Sequence, residues 1–316
     1  MSKREYHLPG PTLFAMVGVI VLPTMLTLAT IREPRPMMPL EGNPTPFGYT
    51  MSLSFWIIPA IAMAVWFLRH KDIDIPDRKA FYTTLVLLPV IGCVLDILFA
   101  TSFFTFENLD ATIGLMIPVV GGSVPVEEFI FYIMGFVVIL LAYVWVKVAW
   151  LGSHGRLPTP DKGILQLHWP SMLFCLALAA AGFAYKWYGP HDHHEGFPGY
   201  FLFLVLAAFG PVVLMFPSVK ALISWRAFSL VMFITVAVSQ TWEAGLAVPY
   251  QWWGYQPEQM MGIFIPGWTN LPLEASLLWL VVTWATVTWY EAFRVIYAHP
   301  GGWREALLGK KASVGS

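Results

Sequence analysis

Eight long apolar windows, separated by short polar connections, constrain the fold of this chain more than any other feature. The windows lie at about 12–31, 50–68, 80–100, 125–149, 169–187, 198–216, 223–245 and 272–296. A helix of roughly 20 apolar residues spans a bilayer core of about 30 Å. A soluble domain is also disfavoured, because only 12% of the residues are charged and that is about half the usual share. The sequence therefore predicts an all-α integral membrane protein with eight transmembrane helices.

The positions of the cationic residues predict how these helices are oriented. With eight spans, 15 of the 18 Lys and Arg residues fall on one side of the membrane. The exceptions are Arg32, Arg35 and Lys186. Connections rich in Lys and Arg stay in the cytoplasm. We therefore expect both termini to be cytoplasmic, in the inner membrane of a bacterium or an archaeon.

An internal repeat divides the chain into two halves. The stretch Pro125-Val-Glu-Glu recurs as Pro272-Leu-Glu-Ala, 147 residues later, and at the same offset Asp96 corresponds to Glu243. Four spans per half is an even number, so the halves share one orientation. We expect a tandem repeat of two four-helix halves: residues 1–150 form the first, and residues 151–316 form the second with a cytoplasmic tail.

Each half places a carboxylate near the outer end of one span and another at the start of the next. The acids are Asp96, Glu127 and Glu128 in the first half and Glu243 and Glu274 in the second. Proline followed by Glu is an ordinary helix start, because acids there complement the helix dipole. Acids at the membrane interface are costly, however, and usually line a cavity or a pathway. Because the arrangement occurs twice, we expect the five acids to converge in one site.

Aromatic residues are concentrated in the two outer loops that precede the repeated motif. They are Phe103, Phe104 and Phe106 in the first loop and Trp252, Trp253, Tyr255 and Trp268 in the second. Such residues often form a belt at the membrane surface. They also stabilise cations through their π faces. Acids beside aromatic rings in an apolar pocket are suited to protonating an alkene, so we treat these seven residues as candidate substrate-binding residues.

The sequence resembles the membrane-integral lycopene cyclases, which occur as two small subunits or as one fused tandem chain. The resemblance is carried by GGSVPVEEFIFY (121–132) and TNLPLEASLLW (269–279), which place a Pro-x-Glu motif after a polar, aromatic loop in each half. Within the motif, Glu127 and Glu274 match the first acid and Glu128 the second. Ala275 replaces the second acid of the other half, so we expect the halves to be unequal.

The resemblance implies an isomerisation without net redox change. An acid protonates the terminal double bond of a linear carotenoid or a related polyprene, the cation closes onto an internal double bond, and loss of a proton leaves a β-ring. On this basis we assign proton transfer to Glu127 and Glu274. We expect Glu128, Asp96 and Glu243 to tune them, and the loop aromatics to line the path of the cation.

Other functions remain open from the residues alone. Parallel repeats with intramembrane acids also occur in proton-coupled transporters. A hydratase or terpene cyclase on the same scaffold would use the same acid, and an assembly factor would use the acids only as helix caps. A retinal-binding photoreceptor is disfavoured, because no lysine lies deep in the last span.

The expected partners are the lipid bilayer and a substrate dissolved in it. With a net charge of −1 and no basic stripe, we expect no nucleic-acid partner. No cofactor is evident, since dinucleotide and P-loop motifs are absent from the sequence, although a reduced flavin acting as a non-redox helper stays open. We expect no metal, because the adjacent ligands of PHDHHEG (190–196) lack supporting spacing and read as a polar turn. Toward the cytoplasmic end of the last span, Arg294 is placed to pair with Glu291.

Overall fold

The computed structural model describes residues 45–69, 75–148 and 163–309. The chain in these ranges is mostly helical. Its α-helices are α1 (Gly48–Arg69), α2 (Ile75–Phe103), α3 (Val126–Val146), α4 (Trp169–Tyr188), α5 (Gly199–Leu202), α6 (Phe209–Val219), α7 (Trp225–Trp242), α8 (Leu273–Ala298) and α9 (Gly302–Leu308). Its strands are β1 (Phe104–Thr105), β2 (Met116–Val119), β3 (Gly122–Pro125), β4 (Gly254–Tyr255), β5 (Phe264–Ile265) and β6 (Leu271–Pro272).

Five of the described helices are long and apolar enough to cross a membrane. They are Gly48–Arg69, Asp77–Phe103, Val126–Val146, Trp169–Tyr188 and Trp225–Ala247. Large apolar side chains cover their outer surfaces; Ile58, for example, is 68% exposed and Phe233 is 71% exposed. Surface of this kind is stable against lipid, and a soluble protein seldom exposes so much of it. The five helices agree with the predicted class, an all-α membrane protein.

Three of the eight predicted spans are not among these five helices. The first, 12–31, lies outside the described residues. The sixth, 198–216, is interrupted: α5 passes into a π-helix at Phe203–Ala208 and then into α6. The eighth, 272–296, forms the long helix α8, which is not among the five helices that are apolar enough to cross a membrane.

Helix α8 lies at the centre of the bundle and has polar side chains in the interior. Helix α8 packs against α2, α3, α6 and α7, and the neighbouring helix α3 packs against α1, α2 and α7. A helix surrounded by other helices needs no lipid-facing apolar surface. Its Thr283, Thr286 and Thr288 are accordingly buried. The two central helices therefore provide the interior of the bundle.

Short hairpins precede both central helices. Strand β2 pairs with β3 so that Met116 faces Pro125, and β5 pairs with β6 so that Phe264 faces Pro272. In each case the proline is the residue just before the helix. A third ladder joins the two loops: β1 pairs antiparallel with β4. The loops that precede α3 and α8 thus form one cap over the same end of the bundle.

A buried ionic cluster ties the helices together at the opposite end. Glu291 of α8 accepts hydrogen bonds from Tyr143 Oη at 2.7 Å and from Lys147 Nζ. Arg294 Nη1 donates to Glu291 Oε2 at 2.7 Å, which confirms the predicted pair, and Arg294 Nε donates to Asp77 Oδ1. Each buried charge therefore has an opposite charge in contact, as burial requires.

Candidate active site

Glu127 lies in the first turn of α3 and fastens the preceding loop to the helix. Its Oε1 accepts hydrogen bonds from the backbone N–H of Ile113 at 2.8 Å and from Thr50 Oγ1 at 2.5 Å. Its other oxygen, Oε2, is buried and has no hydrogen-bond partner in the described part of the chain. The residue therefore connects α1, α3 and the loop, and keeps one oxygen uncommitted.

Glu274 occupies the corresponding place at the start of α8. Its Oε1 accepts a hydrogen bond from the backbone N–H of Met261 at 2.5 Å, and its Oε2 is buried without a partner among the described residues. Ile113 and Met261 are 148 residues apart. Lys186, which is fully buried, supports the same loop by donating to the carbonyl of Met260 at 2.8 Å.

Further backbone contacts match between the two loops. Val126 N donates to the carbonyl of Leu115 at 2.9 Å, and Leu273 N donates to the carbonyl of Ile263 at 2.9 Å. Where the loops meet, the N–H of Asn108 donates to the carbonyl of Gln251, and the N–H of Gln256 donates to that of Phe103. Each of these four contacts thus has a counterpart 147 or 148 residues away.

Glu128 points away from Glu127 and into the bundle. Successive residues of a helix are about 100° apart, so the two adjacent acids face different neighbours. Tyr49 of α1 donates its hydroxyl to Glu128 Oε2 at 2.9 Å in a fully buried contact. Glu128 also lies close enough to Asp96 and Glu243 for their charges to interact. Glu128 is therefore near both Asp96, in α2, and Glu243, at the C-terminal end of α7.

Asp96 is buried near the C-terminal end of α2. Its side chain is 4% exposed, and both carboxyl oxygens lack a partner in the described part of the chain. Buried polar groups are nearly always paired, and an exception calls for an explanation. Asp96 lines a cavity of about 150 Å³ between α2, α3, the π-helix and α8, which we call the first cavity. Its wall includes Phe103, Phe104, Tyr132, Tyr200 and Phe203.

The aromatic rings on this wall contact one another. The ring centroid of Phe103 lies 4.9 Å from that of Tyr200 and 5.5 Å from that of Phe203. The hydroxyl of Tyr200 is buried and unpaired within the described residues. Two uncommitted polar groups, the Asp96 carboxyl and the Tyr200 hydroxyl, therefore line a space whose wall is mostly apolar.

Glu243, the counterpart of Asp96, has both oxygens occupied. It begins the π-helix Glu243–Ala247, and it accepts hydrogen bonds from Trp279 Nε1 at 2.9 Å and from the hydroxyl of Tyr255. Burial raises the pKa of the Tyr255 hydroxyl well above its ordinary value, and the charge of Glu243 adds to this effect. Tyr255 therefore remains a hydrogen-bond donor to Glu243 at neutral pH.

A second cavity lies between α1, α3 and α7, with a volume of about 60 Å³. Its wall includes Trp56, Phe131, Thr235, Ser239, Trp242 and Trp279. None of the described residues that line it carries a charge. The indole of Trp279, which donates to Glu243, forms part of this wall.

The predicted aromatic residues fall into three groups. Phe103 and Phe104 line the first cavity, Phe106 packs against the core beside them, and Tyr255 holds Glu243. Buried Trp252 and Trp253 instead surround Tyr49, with ring centroids 6.1 and 4.9 Å from its own. Trp268 is 46% exposed and lines an open groove on the outside of α7. The structure therefore brings six of the seven to the bundle interior and leaves Trp268 on its surface.

Several residues of the site were not predicted from sequence. Tyr132 and Trp279 line the first and second cavities and stand 147 residues apart, so the repeat itself was a signal that could have found them. Tyr49 and Tyr200 are 151 residues apart. Because that separation departs from the repeat offset, only the folded structure reveals that both reach the site.

No group of three or more metal-binding side chains occurs in the part of the chain that the structure describes. In the histidine-rich loop, His191 Nε2 lies 2.9 Å from the carbonyl oxygen of Tyr185, and the rings of His191 and His194 stack at 4.6 Å. Comparisons of the chain with protein-family models, with curated proteins and with solved structures gave no match.

Proposed function

We propose that this protein catalyses the acid-dependent, non-redox cyclisation of a linear carotenoid such as lycopene, or of a related polyprene, within the membrane. The observation that carries the proposal is the Asp96 carboxyl, which is buried, has no hydrogen-bond partner among the described residues and lines an aromatic cavity. A neutral carboxyl group there has one O–H to donate. With apolar walls around it, the group best suited to receive that proton is a hydrocarbon double bond.

The reaction balances without an oxidant or a reductant. The Asp96 carboxyl gives its proton to the terminal double bond, which forms a C–H bond and leaves a tertiary cation. The electrons of an internal double bond then form the ring C–C bond and move the positive charge to a ring carbon. Loss of a proton from the neighbouring carbon forms the ring double bond. That proton returns to the carboxylate pair Asp96 and Glu128, so substrate and product are isomers.

The rings of the first cavity supply what the cation needs. Phe103, Tyr200 and Phe203 present aromatic surface to it, and a cation over an aromatic face is stabilised by about 2 kcal/mol or more once water is excluded. Because the wall holds few polar atoms, water is kept from the cation. This favours loss of a proton over addition of water.

As an alternative to Asp96, Glu127 or Glu274 donates the proton, as was predicted from the sequence. Each has one buried oxygen without a partner among the described residues. Each also holds a loop backbone N–H with its other oxygen. Asp96 is the stronger candidate for donor, because neither of its oxygens is committed to the fold.

The proposed architecture is an eight-span tandem repeat with both termini in the cytoplasm. The paired contacts of Glu127 with Ile113 and of Glu274 with Met261 support the repeat, as do the matching hairpins before α3 and α8. The distribution of Lys and Arg supports the orientation. In this arrangement, the acids lie at the outer end of the bundle.

The experiment that tests the function is expression in bacterial cells that accumulate lycopene. Extracted pigments are separated by chromatography and identified by mass. We expect ring-containing products with the mass of lycopene. A gain of one water would instead indicate a hydratase. Unchanged lycopene, with the protein folded in the membrane, would contradict the proposal.

A further inference from the structure

The first and second cavities occupy corresponding places in the two halves. Positions 88, 91 and 92 line the first cavity, and positions 235, 238 and 239, each 147 residues later, line the second. The correspondence also holds in reverse. Positions 131, 134 and 135 line the second cavity, and positions 278, 281 and 282, again 147 residues later, line the first. Each cavity is therefore built from both halves, with the contributions exchanged.

The acid at the outer end distinguishes the two cavities. In the first, Asp96 lines the space and has no partner among the described residues. In the second, Glu243 is absent from the lining, and its oxygens accept from Tyr255 and Trp279. Tyr132, the counterpart of Trp279, makes no hydrogen bond to Asp96. At this repeat position, Trp279 donates a hydrogen bond to Glu243, whereas Tyr132 leaves Asp96 without one.

We propose that the second cavity binds the apolar end of an isoprenoid chain but does not catalyse a reaction on it. Glu243 is inactive as an acid because its two oxygens accept hydrogen bonds from Tyr255 and Trp279. This inference rests on the proposed function and specifies which part of the tandem repeat acts. As a consequence, each substrate molecule gains one ring, at one of its two ends, before the protein releases it.

The same chemistry explains how Glu243 would be released. Tyr255→Phe and Trp279→Phe each remove one donor and keep an aromatic ring in place. With both donors absent, a neutral Glu243 carboxyl has its O–H free to protonate a double bond in the second cavity. Ring closure and loss of a proton then follow as at Asp96, with the proton returning to the Glu243 carboxylate.

The activity test uses the full chain in lycopene-accumulating cells. We expect wild type to give products with one ring, Asp96→Asn to give none, and Asp96→Asn combined with Tyr255→Phe and Trp279→Phe to restore ring formation to at least about a tenth of the wild-type rate. The inference is overturned if wild type gives mainly two-ringed products and Glu243→Gln reduces them to one-ringed products.

If no variant cyclises lycopene, the proposed function is wrong. A binding test then decides separately whether the second cavity holds an isoprenoid chain. Gly135 lines the second cavity and Gly92 lines the first. A Cβ at Gly135 would lie 3.3 Å from the Trp279 ring, and one at Gly92 would lie 2.8 Å from Phe136. We expect Gly135→Leu and Gly92→Leu each to lower the lycopene that co-purifies with the protein to about half, because the larger side chain fills one cavity. Unchanged lycopene in Gly135→Leu protein would overturn the assignment of the second cavity.

Discussion

Phe104 and Tyr255 lie directly opposite each other in the ladder between β1 and β4, and their rings meet edge to face with centroids 5.6 Å apart. Phe104 belongs to the wall of the first cavity, whereas Tyr255 donates to Glu243. The pair therefore connects the environments of the two acids.

Replacing Phe104 with alanine is expected to destabilise the protein by about 3–5 kcal/mol, because a buried ring is lost and a void remains. The measurement is the thermal unfolding transition in detergent. Phe233→Ala provides the matched control, since Phe233 is 71% exposed and its removal should leave the transition nearly unchanged. Equal shifts in the two variants would show that Phe104 has no special structural role.

Asp96→Asn is expected to lower the rate of ring formation by at least about 100-fold, because an amide cannot act as a general acid. The rate is measured from the appearance of cyclic pigment per amount of folded protein in the membrane. Asp110→Asn is the control; it makes the same chemical change at an exposed position in the neighbouring loop. A rate within a few fold of wild type in the Asp96 variant would rule out Asp96 as the proton donor.

Glu274 offers a test that separates proton transfer from loop support. Glu274→Gln keeps an oxygen that can accept from Met261 N, whereas Glu274→Ala leaves that N–H unpaired at a cost of about 1–3 kcal/mol. If Glu274 only holds the loop, the Gln variant should retain activity and the Ala variant should unfold at a lower temperature. Loss of activity in a stable Gln variant would instead support the proton-transfer role predicted from sequence. The same pair of substitutions applies to Glu127.

Glu291→Gln is expected to destabilise the bundle by about 3–5 kcal/mol, since it leaves the buried cations Lys147 and Arg294 without their shared partner. Thermal unfolding in detergent measures the effect, with the exposed Glu195→Gln as control. The identity of the pigment product should not change, because the cluster lies at the end of α8 opposite to the acids. An altered product would mean that the cluster takes part in the chemistry.

The apolar windows predicted much of the fold because each described span either faces lipid or fills the interior. The sixth span was predicted as continuous, yet the chain widens into a π-helix at Phe203–Ala208. Hydropathy does not register such a break, because the residues remain apolar while the hydrogen-bond pattern changes. The central position of α8 was likewise not predicted, because it depends on contacts between helices that are distant in sequence.

The sequence predicted that the acids converge and assigned proton transfer to Glu127 and Glu274, but it could not distinguish Asp96 from Glu243. Asp96 and Glu243 are equivalent in the repeat, and the difference between them arises from the side chains that reach them. Trp279 donates to Glu243, whereas Tyr132 at the matching position leaves Asp96 unpaired. Such a difference depends on side-chain geometry, which an offset of 147 residues does not encode.

The most direct test of proton transfer to a double bond is the mass of the product formed in deuterated water. Membranes containing the protein are supplied with lycopene in deuterated buffer, and substrate and product are separated before mass measurement. The proton that adds to the terminal double bond stays in the product, while the proton that is lost comes from another carbon. We therefore expect one deuterium for each ring formed and none in the recovered lycopene. A cyclic product without deuterium would contradict acid catalysis by a group that exchanges protons with solvent.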